Sequence, residues 1–177
     1  MKTYNIKEKI KEHFFMNPTK KMRVRQIERE LKLPLPSVIR YCKELEMEEI
    51  LKKETISGVS VYLADRVSKK FLIAKRLFNL NSIFESGLPD YIIKEYFNPV
   101  IVLFGSYSKG EDIEESDIDL YVETPKKHEF KLQKFEKILN RRIQIFNYKT
   151  IKDLPNPHLR NNIINGIAIN NFLEVFS

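Results

Sequence analysis

Cysteine is nearly absent from this sequence, and most cysteine chemistry is excluded with it. Among 177 residues there is one cysteine, Cys42, so no internal disulfide and no cysteine-rich zinc site can form. The three histidines, His13, His128 and His158, are scattered and lack metal-ligand spacing. We therefore expect a protein of the reducing cytoplasm with no zinc centre.

Long hydrophobic runs are also missing. No stretch is long enough to span a membrane, and residues 1–13 alternate charged with apolar side chains, unlike a signal peptide. The hydrophobic fraction is 42% and the charged fraction 31%, which predicts a packed globular core. We expect a soluble protein with no membrane partner, built as one domain or two small ones.

The positive charge is concentrated at the amino-terminal end. The net charge is +7, and residues 1–44 contain 12 lysines and arginines against 5 glutamates, so this segment carries the whole excess. Such a patch favours a polyanionic partner. No aromatic side chains are interleaved with the basic ones as a stacking platform, so double-stranded DNA is favoured over single-stranded nucleic acid.

Periodicity in the first 65 residues predicts three helices and a β-hairpin. The helices are predicted at residues 7–15, 26–31 and 38–45. Strand-like segments are predicted at residues 22–24, 50–56 and 59–63. Residues 33–36 are predicted to form the turn before the third helix, and Ser37 to cap that helix.

This order of elements resembles the winged-helix variant of helix-turn-helix domains. The resemblance implies that the third helix enters the major groove of DNA and that the hairpin, or wing, touches the backbone. It assigns DNA contacts to six residues: Ser37, Arg40, Lys43, Lys52, Lys53 and Ser57. The alternative is a protein-interaction module with a solvated basic face. A homodimer would fit, because winged-helix proteins often read two half-sites.

A connecting segment separates this region from the rest of the chain. Residues 65–80 carry a broad apolar stripe, which includes Val67, and this stripe predicts a connecting helix. Plain core packing or a dimer contact is the alternative interpretation of the stripe. After a break at residues 87–89, Asp90 is predicted to cap a helix over residues 91–97. The predicted domains are residues 1–65 and 90–177, joined by residues 66–89.

The first chemically informative motif follows an apolar run. Residues 100–104 are uninterruptedly apolar, as expected for a strand buried on both faces, and this strand ends at Gly105-Ser106. Glycine lets a phosphate approach the backbone, and free N–H groups at the start of a following helix can face that phosphate. Ser106 adds a hydroxyl donor.

The second motif is a pair of aspartates. On a strand, Asp117 and Asp119 would project from the same face, because side chains at i and i+2 do so. Two like charges side by side destabilise a strand unless a cation neutralises them, and oxygen ligands suit Mg²⁺. A pair of solvated aspartates on an edge strand is the alternative interpretation.

Together, Gly105-Ser106, ten intervening residues and Asp117-Ile118-Asp119 resemble the signature of the polymerase-beta-like nucleotidyltransferase superfamily, specifically its minimal nucleotidyltransferases. The resemblance covers residues 91–175 and implies an α+β domain with a small mixed sheet. It implies phosphate binding by Gly105, Ser106 and Ser116. It makes Asp117 and Asp119 the catalytic ligands of Mg²⁺ or Mn²⁺. A nucleotidyl group would then move from a nucleoside triphosphate to a hydroxyl, releasing pyrophosphate.

The sequence departs from this family at one position. The family places a third carboxylate in a later strand, but the matching strand, residues 141–146 after a helix at 127–139, has Gln144 at its centre. Glutamine has neither the charge for a second cation nor basicity at neutral pH. The candidates for a displaced carboxylate are Glu123, Glu129 and Asp153, each interpreted first as a solvated surface residue.

The remaining features carry weaker hypotheses. Three basic residues could contact phosphates or balance local charge: Lys109, Arg141 and Arg142. A last helix is predicted over residues 156–165, with Gly166 as the turn into a closing segment.

Two functions remain. One is a nucleotidyltransferase that modifies a protein or nucleic acid, as antitoxin-type members do beside a toxin partner. The other is a DNA-binding regulator whose degenerate second domain serves as a nucleotide sensor or scaffold.

Overall fold

The chain forms an α+β fold with two small sheets. The structure is a computed structural model that describes residues 5–125 and 130–175. This part of the chain contains eight α-helices and six strands. It divides into two compact units, Met1–Phe78 and Asn79–Ser177, with the division inside a long helix. None of the helices in the described ranges has the length and apolar character that crossing a membrane requires.

The first unit contains three helices followed by an antiparallel hairpin. Its elements are α1 (Ile6–Met16), α2 (Val24–Leu31), α3 (Leu35–Met47), β1 (Leu51–Ile56) and β2 (Val59–Ala64). The core consists of apolar side chains from all three helices and the hairpin, including Phe14, Ile27 and Leu45. The order of these elements confirms the predicted three helices and hairpin.

Three predicted details of the first unit are wrong. Helix α3 begins at Leu35 after an N-cap at Pro34, so residues 33–36 are not all turn. The N–H of Ser37 donates to the carbonyl of Pro34 at 3.0 Å, which places Ser37 inside the first turn rather than at the cap. Pro36 is tolerated in the first turn of α3 because the first helical N–H groups have no intrahelical acceptor. The strand predicted at residues 22–24 is a single bridge between Met22 and Tyr62.

The long helix α4 spans Lys69–Glu85, later than the predicted 65–80. Ser68 Oγ accepts hydrogen bonds from the N–H groups of Lys70 and Phe71, at 3.1 and 3.4 Å, and so caps the helix start. Val67 precedes the helix and is 86% exposed, so its predicted place in the apolar stripe is wrong.

The second unit is built on a four-stranded mixed sheet. Its elements are α5 (Leu88–Glu95), β3 (Val100–Phe104), α6 (Gly105–Lys109), β4 (Ile118–Glu123), α7 (Gln133–Leu139), β5 (Ile143–Tyr148), α8 (Pro157–Ile164) and β6 (Ile167–Asn170). The strand order is β5-β4-β3-β6. Strand β3 is antiparallel to β4 and β6, whereas β4 and β5 are parallel, which confirms the predicted mixed sheet.

Side chains alternate between the two faces of this sheet. Ile101 and Leu103 of β3 belong to one core, and Val102 and Phe104 to the other, where α8 packs through Ile163. Gly166 joins α8 to β6 and lies very close to β3. A Cβ at Gly166 would lie 2.6 Å from both Leu103 O and Val102 Cγ1, so only glycine allows β6 to reach β3 here.

Several predicted bounds in the second unit are wrong. Gly87, with φ of +73°, is the N-cap of α5, and Asp90 lies within its first turn. Helix α7 starts at Gln133 instead of residue 127, and β5 spans Ile143–Tyr148 instead of 141–146. His128 and Glu129 lie outside the described residues. The last predicted helix is confirmed as α8, with Asn156 as its N-cap.

Candidate nucleotide and metal site

Gly105 is the turn between β3 and α6. Its φ is +74°, a left-handed conformation that favours glycine. A Cβ at this position would overlap Asp119 Oδ2 and lie 3.1 Å from Asp119 Cγ. Ser108 Oγ donates to the Gly105 carbonyl at 2.8 Å, which fixes the first turn of α6. The glycine therefore serves both the turn and the close approach of the Asp119 carboxylate.

The two aspartates lie at the start of β4. Asp117 immediately precedes the strand, and the N–H of Ile118 donates to the Arg142 carbonyl at 2.8 Å, which holds that strand start beside β5. Asp119 pairs in register with Phe104 of β3. Both carboxylates are half-buried. Burial, and then the negative charge of Asp117, raise the pKa of Asp119 above its ordinary value.

The two predicted phosphate-binding serines differ in their surroundings. Ser106 follows Gly105 in α6, and its carbonyl accepts from the Glu111 N–H at 3.0 Å. Ser116 Oγ accepts from the Ile113 N–H at 2.9 Å, and the Ser116 N–H donates back to the Ile113 carbonyl at 3.0 Å. The Ser116 side chain therefore stabilises the loop that leads into Asp117.

Gln144 lies directly beside Asp119. The parallel register of β4 and β5 pairs these two residues, and paired side chains on neighbouring strands project from the same face. Gln144 is exposed to solvent. The sheet position nearest to the aspartates on β5 therefore holds a neutral amide.

The candidates for a displaced carboxylate have other partners. Glu123 Oε2 accepts from the Tyr121 hydroxyl at 2.7 Å and from the Ile151 N–H at 2.9 Å. Asp153 Oδ2 accepts from the Thr150 N–H and hydroxyl, both at 3.0 Å. Across residues 5–125 and 130–175, no group of three or more histidine, cysteine, aspartate or glutamate side chains could hold a metal ion.

The pair nonetheless fits a single hard cation. Mg²⁺ in nucleotide sites is commonly bound by one or two carboxylates, with phosphate oxygens and waters completing its shell. Burial and the charge of Asp117 both disfavour the ionised form of Asp119 and raise its pKa, and a bound cation would offset both effects. Asp117 and Asp119 are the residues that would hold Mg²⁺ or Mn²⁺, which would neutralise phosphate charge there.

A buried polar cluster behind the turn was missed by sequence reasoning. Asp112 is 1% exposed, and its Oδ1 accepts from Asn79 Nδ2 at 2.7 Å. The same amide nitrogen donates to the Tyr107 carbonyl of α6 at 2.9 Å. Arg141 Nη2 lies 3.8 Å from Asp112 Oδ2, and the Arg141 side chain is 6% exposed. Nothing in the local sequence separates Asp112 from a surface loop residue.

This cluster also bears on the predicted roles of the basic residues. Burial beside Asp112 favours charge balance over phosphate contact for Arg141. Arg142 lines an open cleft of about 770 Å³ together with Asp117, Glu115 and Lys137. Lys109 is exposed at the end of α6 and does not line that cleft.

The predicted DNA contacts of the first unit lie on helix α3 and on the hairpin. Arg40 stacks over the Tyr41 ring, 4.4 Å from its centroid, and its Nε lies 3.8 Å from a Glu44 oxygen. Lys52 and Lys53 are adjacent in β1 and point to opposite faces of the hairpin, so one flat surface cannot contact both.

The remaining predicted DNA contacts differ in their exposure to solvent. Lys43 and Ser57, which lies in the hairpin turn, are exposed, whereas Ser37 is half-buried. Helix α2 also exposes Arg25 and Arg29, which sequence reasoning did not select. Arginines on α2 could have been found from the basic excess of residues 1–44.

Comparison with known families gives one match. Residues 92–169 match the family model of the nucleotidyltransferase domain. The match covers less than half of the chain, lies entirely in the second unit and includes Gly105, Asp117 and Asp119. Neither curated proteins nor solved structures gave a significant match. The match confirms the nucleotidyltransferase part of the sequence interpretation and supports nucleotidyl transfer as the general activity.

Proposed function

We propose that the second unit binds a nucleoside triphosphate with Mg²⁺ and transfers its nucleoside monophosphate to a hydroxyl of a protein or nucleic acid. The observation that carries this proposal is the Asp119 carboxylate seated against Gly105, with Asp117 beside it. This arrangement brings a negatively charged metal ligand next to the backbone of a phosphate-binding turn.

The roles of the residues follow from their places. The backbone at Gly105-Ser106 binds the triphosphate, and Asp117 and Asp119 would hold the cation, which would neutralise phosphate charge. The acceptor oxygen bonds to the α-phosphorus as the bond to the pyrophosphate oxygen breaks. Because Gln144 cannot take a proton, the hydroxyl proton leaves to solvent.

The test is transfer of label from each α-labelled nucleoside triphosphate, with Mg²⁺, to any macromolecule of the host lysate. Label should be lost in Asp117→Asn and in Asp119→Asn and retained in Asp90→Asn, an exposed aspartate of the same unit. Nuclease and protease treatment then separate nucleic-acid from protein acceptors, and a single labelled protein would identify a toxin-type partner. Absence of transfer by folded protein would contradict the proposal.

A second candidate function is regulation without turnover, and the register of Gln144 beside Asp119 favours it. In this case the second unit binds a nucleotide as a sensor or remains a scaffold. Replacing Gln144→Asp would place a third carboxylate on the same face of the sheet. Transfer by Gln144→Asp but not by the wild-type chain would show that the wild-type site lacks turnover because residue 144 is not a carboxylate, as this second candidate requires.

For the first unit, the proposed function is binding of double-stranded DNA by a winged helix. Support comes from the order of helices and hairpin and from the exposed basic residues Lys43 and Lys53. Each phosphate contact removed should lower the slope of log affinity against log salt by about 1. Lys43→Ala should show this change and Lys94→Ala, in the second unit, should not. Affinity that is independent of salt would contradict DNA binding.

A further inference from the structure

Asn79 is a buried polar residue within helix α4, at the start of the second unit. It is 2% exposed, although a leucine at this position would favour the helix more and would need no hydrogen-bond partner. A buried asparagine is tolerated in a helix where its amide is hydrogen-bonded. The partners of this amide therefore indicate its role.

The Asn79 amide nitrogen contacts two segments next to the candidate site. It donates to the carbonyl of Tyr107 in α6 at 2.9 Å and to Asp112 Oδ1 at 2.7 Å. Both neighbours are acceptors, so only the end of the side chain that carries two N–H groups can satisfy both. A carboxylate, a hydroxyl or an apolar group at residue 79 could not make the same pair of hydrogen bonds.

These two contacts anchor the loop that joins the two halves of the site. The loop runs from the end of α6, the helix that Gly105 begins, to Asp117 at the start of β4. Asn79 holds the end of α6 through Tyr107 and the loop itself through Asp112, which is 1% exposed. The proposed phosphate-binding turn and the proposed cation ligands are therefore connected to one buried side chain.

The series of contacts continues to strand β5. Asp112 Oδ2 lies 3.8 Å from Arg141 Nη2. The carbonyl of the next residue, Arg142, accepts from the Ile118 N–H at 2.8 Å, and this hydrogen bond holds the start of β4 beside β5. The contacts thus run from α6, through the amide of α4 and the buried carboxylate, to the start of the strand that bears the aspartates.

We infer that Asn79 is a positioning residue, which fixes the phosphate-binding turn relative to the aspartate pair. This inference rests on the proposed function, because it assigns Asn79 a part in nucleotidyl transfer. Asn79 acts through the backbone of α6 and does not contact the nucleotide. Helix α6 has five residues, too few to hold its own position without outside contacts. A displacement of about 1 Å in a reacting group can lower a rate about 100-fold.

The first experiment is amide hydrogen exchange of the full chain, which does not depend on turnover. The N–H groups of Gly110 and Glu111 donate to carbonyls of α6, at 3.4 and 3.0 Å, so their exchange reports on this helix. Asn79→Ala should speed exchange at these two amides by about tenfold, because α6 loses a buried hydrogen bond. Asn79→Leu removes the same hydrogen bonds without leaving a cavity and should give the same result.

The matched control is Ser86→Ala, which removes another buried polar side chain about two helical turns beyond Asn79. Ser86 is 8% exposed, and its Oγ donates to the Ile83 carbonyl at 2.6 Å and accepts from the Leu88 N–H at 3.1 Å. This variant should lower the melting temperature but leave exchange in α6 unchanged. Unchanged α6 exchange in Asn79→Ala, or an equal increase in Ser86→Ala, would overturn the inference.

The second experiment separates positioning from stability by kinetics, at a temperature where every variant is folded. Asn79→Ala should lower kcat about 100-fold and change KM for the Mg²⁺-bound nucleoside triphosphate less than about threefold. The substrate still binds, but its α-phosphorus is displaced from the attacking hydroxyl. Ser86→Ala should keep both constants. A purely structural role would leave folded Asn79→Ala with the wild-type kcat, and this result would overturn the inference.

Failure of this inference and failure of the proposed function give different results. Wild-type transfer that Asn79→Ala leaves unaffected overturns the inference alone. A wild-type chain that neither binds nor transfers nucleotide contradicts the proposed function and this inference with it. For a chain that binds nucleotide without transferring it, α6 exchange with and without Mg²⁺-nucleotide decides. Protection by nucleotide that falls in Asn79→Ala supports the inference, and equal protection in both chains overturns it.

Discussion

The two units differ in where their ion pairs lie, although each has a buried charged side chain and Lys75 of the first unit is 0% exposed. In the first unit, ion pairs such as Lys20–Glu30 and Lys70–Glu49 lie at the surface, at 2.5 and 2.7 Å, with side chains that are at least 43% exposed. In the second unit, Asp112 and Arg141 are almost fully buried and Asp119 is half-buried.

This difference in exposure affects how far folding stability depends on the charged residues of each unit. Exposed ion pairs contribute little to folding, so these exposed pairs of the first unit can vary with its partner while the fold is kept. Buried charges depend on each other, because removing one leaves the other without compensation in a low-dielectric site. In the second unit, therefore, the fold and the candidate site share residues.

The largest expected effect is that of Asp112→Ala. Removing this carboxylate takes the buried counter-charge away from Arg141 and the hydrogen-bond acceptor away from the Asn79 amide, which should lower the free energy of unfolding by about 3 to 5 kcal/mol. Urea unfolding followed by circular dichroism measures the loss. Asp90→Ala, at an exposed helix position, should change stability by less than about 0.5 kcal/mol. Equal effects of the two variants would remove the contrast between buried and exposed charge.

Next in size is Gly105→Ala. The left-handed backbone should cost about 1 to 2 kcal/mol, and displacement of Asp119 by the new methyl group should reduce nucleotidyl transfer about 100-fold. The matched control is Gly87→Ala, because Gly87 has φ of +73° but no heavy atom within 4 Å of the place where the new methyl group would lie. That variant should lose similar stability and keep activity. Loss of activity in both would assign the effect to backbone strain alone.

A smaller effect is expected from the Lys20–Glu30 pair of the first unit. A double-mutant cycle with Lys20→Ala and Glu30→Ala should give a coupling energy below about 1 kcal/mol, because both side chains are 43% exposed. Thermal unfolding at low and high salt measures it, and salt should reduce it further. A salt-independent coupling of several kcal/mol would mean that surface pairs contribute to this fold as buried ones do.

The smallest effect concerns pH. The folded pKa of Asp119 is raised, so the folded state holds its proton to higher pH than the unfolded state, and stability falls as pH rises between the two pKa values. The pKa shift of Glu30 changes the pH dependence of stability in the opposite direction. The hydrogen bond to Lys20 lowers the pKa of Glu30, so the stability that the ionised Glu30 adds is lost as pH falls through that lowered value.

Melting temperatures measured against pH without metal should therefore show that Asp119→Asn stabilises the second unit at neutral pH, by up to about 5 °C. Adding Mg²⁺ should shrink the difference, because the wild-type carboxylates bind it. A variant less stable than the wild type at neutral pH without metal would contradict this account.

The sequence identified the site motifs better than the contacts that support them. Residues 100–104 are correctly predicted to form a strand, because a short unbroken apolar run is typical of a strand that is buried on both faces. The predicted start of α3 is wrong because Pro34 and Pro36 suggest a turn, although proline also fits a first helical turn. The burial of Asp112 depends on Asn79, which is distant along the chain, so no local pattern could reveal it.

The pairing of β3 with β6 also sets an order of events during synthesis. Leu103 pairs with Ile167, so the sheet that supports the Gly105 turn is incomplete until residues near 170 are available. Closing such long loops slows folding, whereas the two strands of the hairpin in the first unit are adjacent in sequence. A ribosome-bound chain would then display a folded first unit well before its second unit acquires a working site, and the delay is inherent in the strand order.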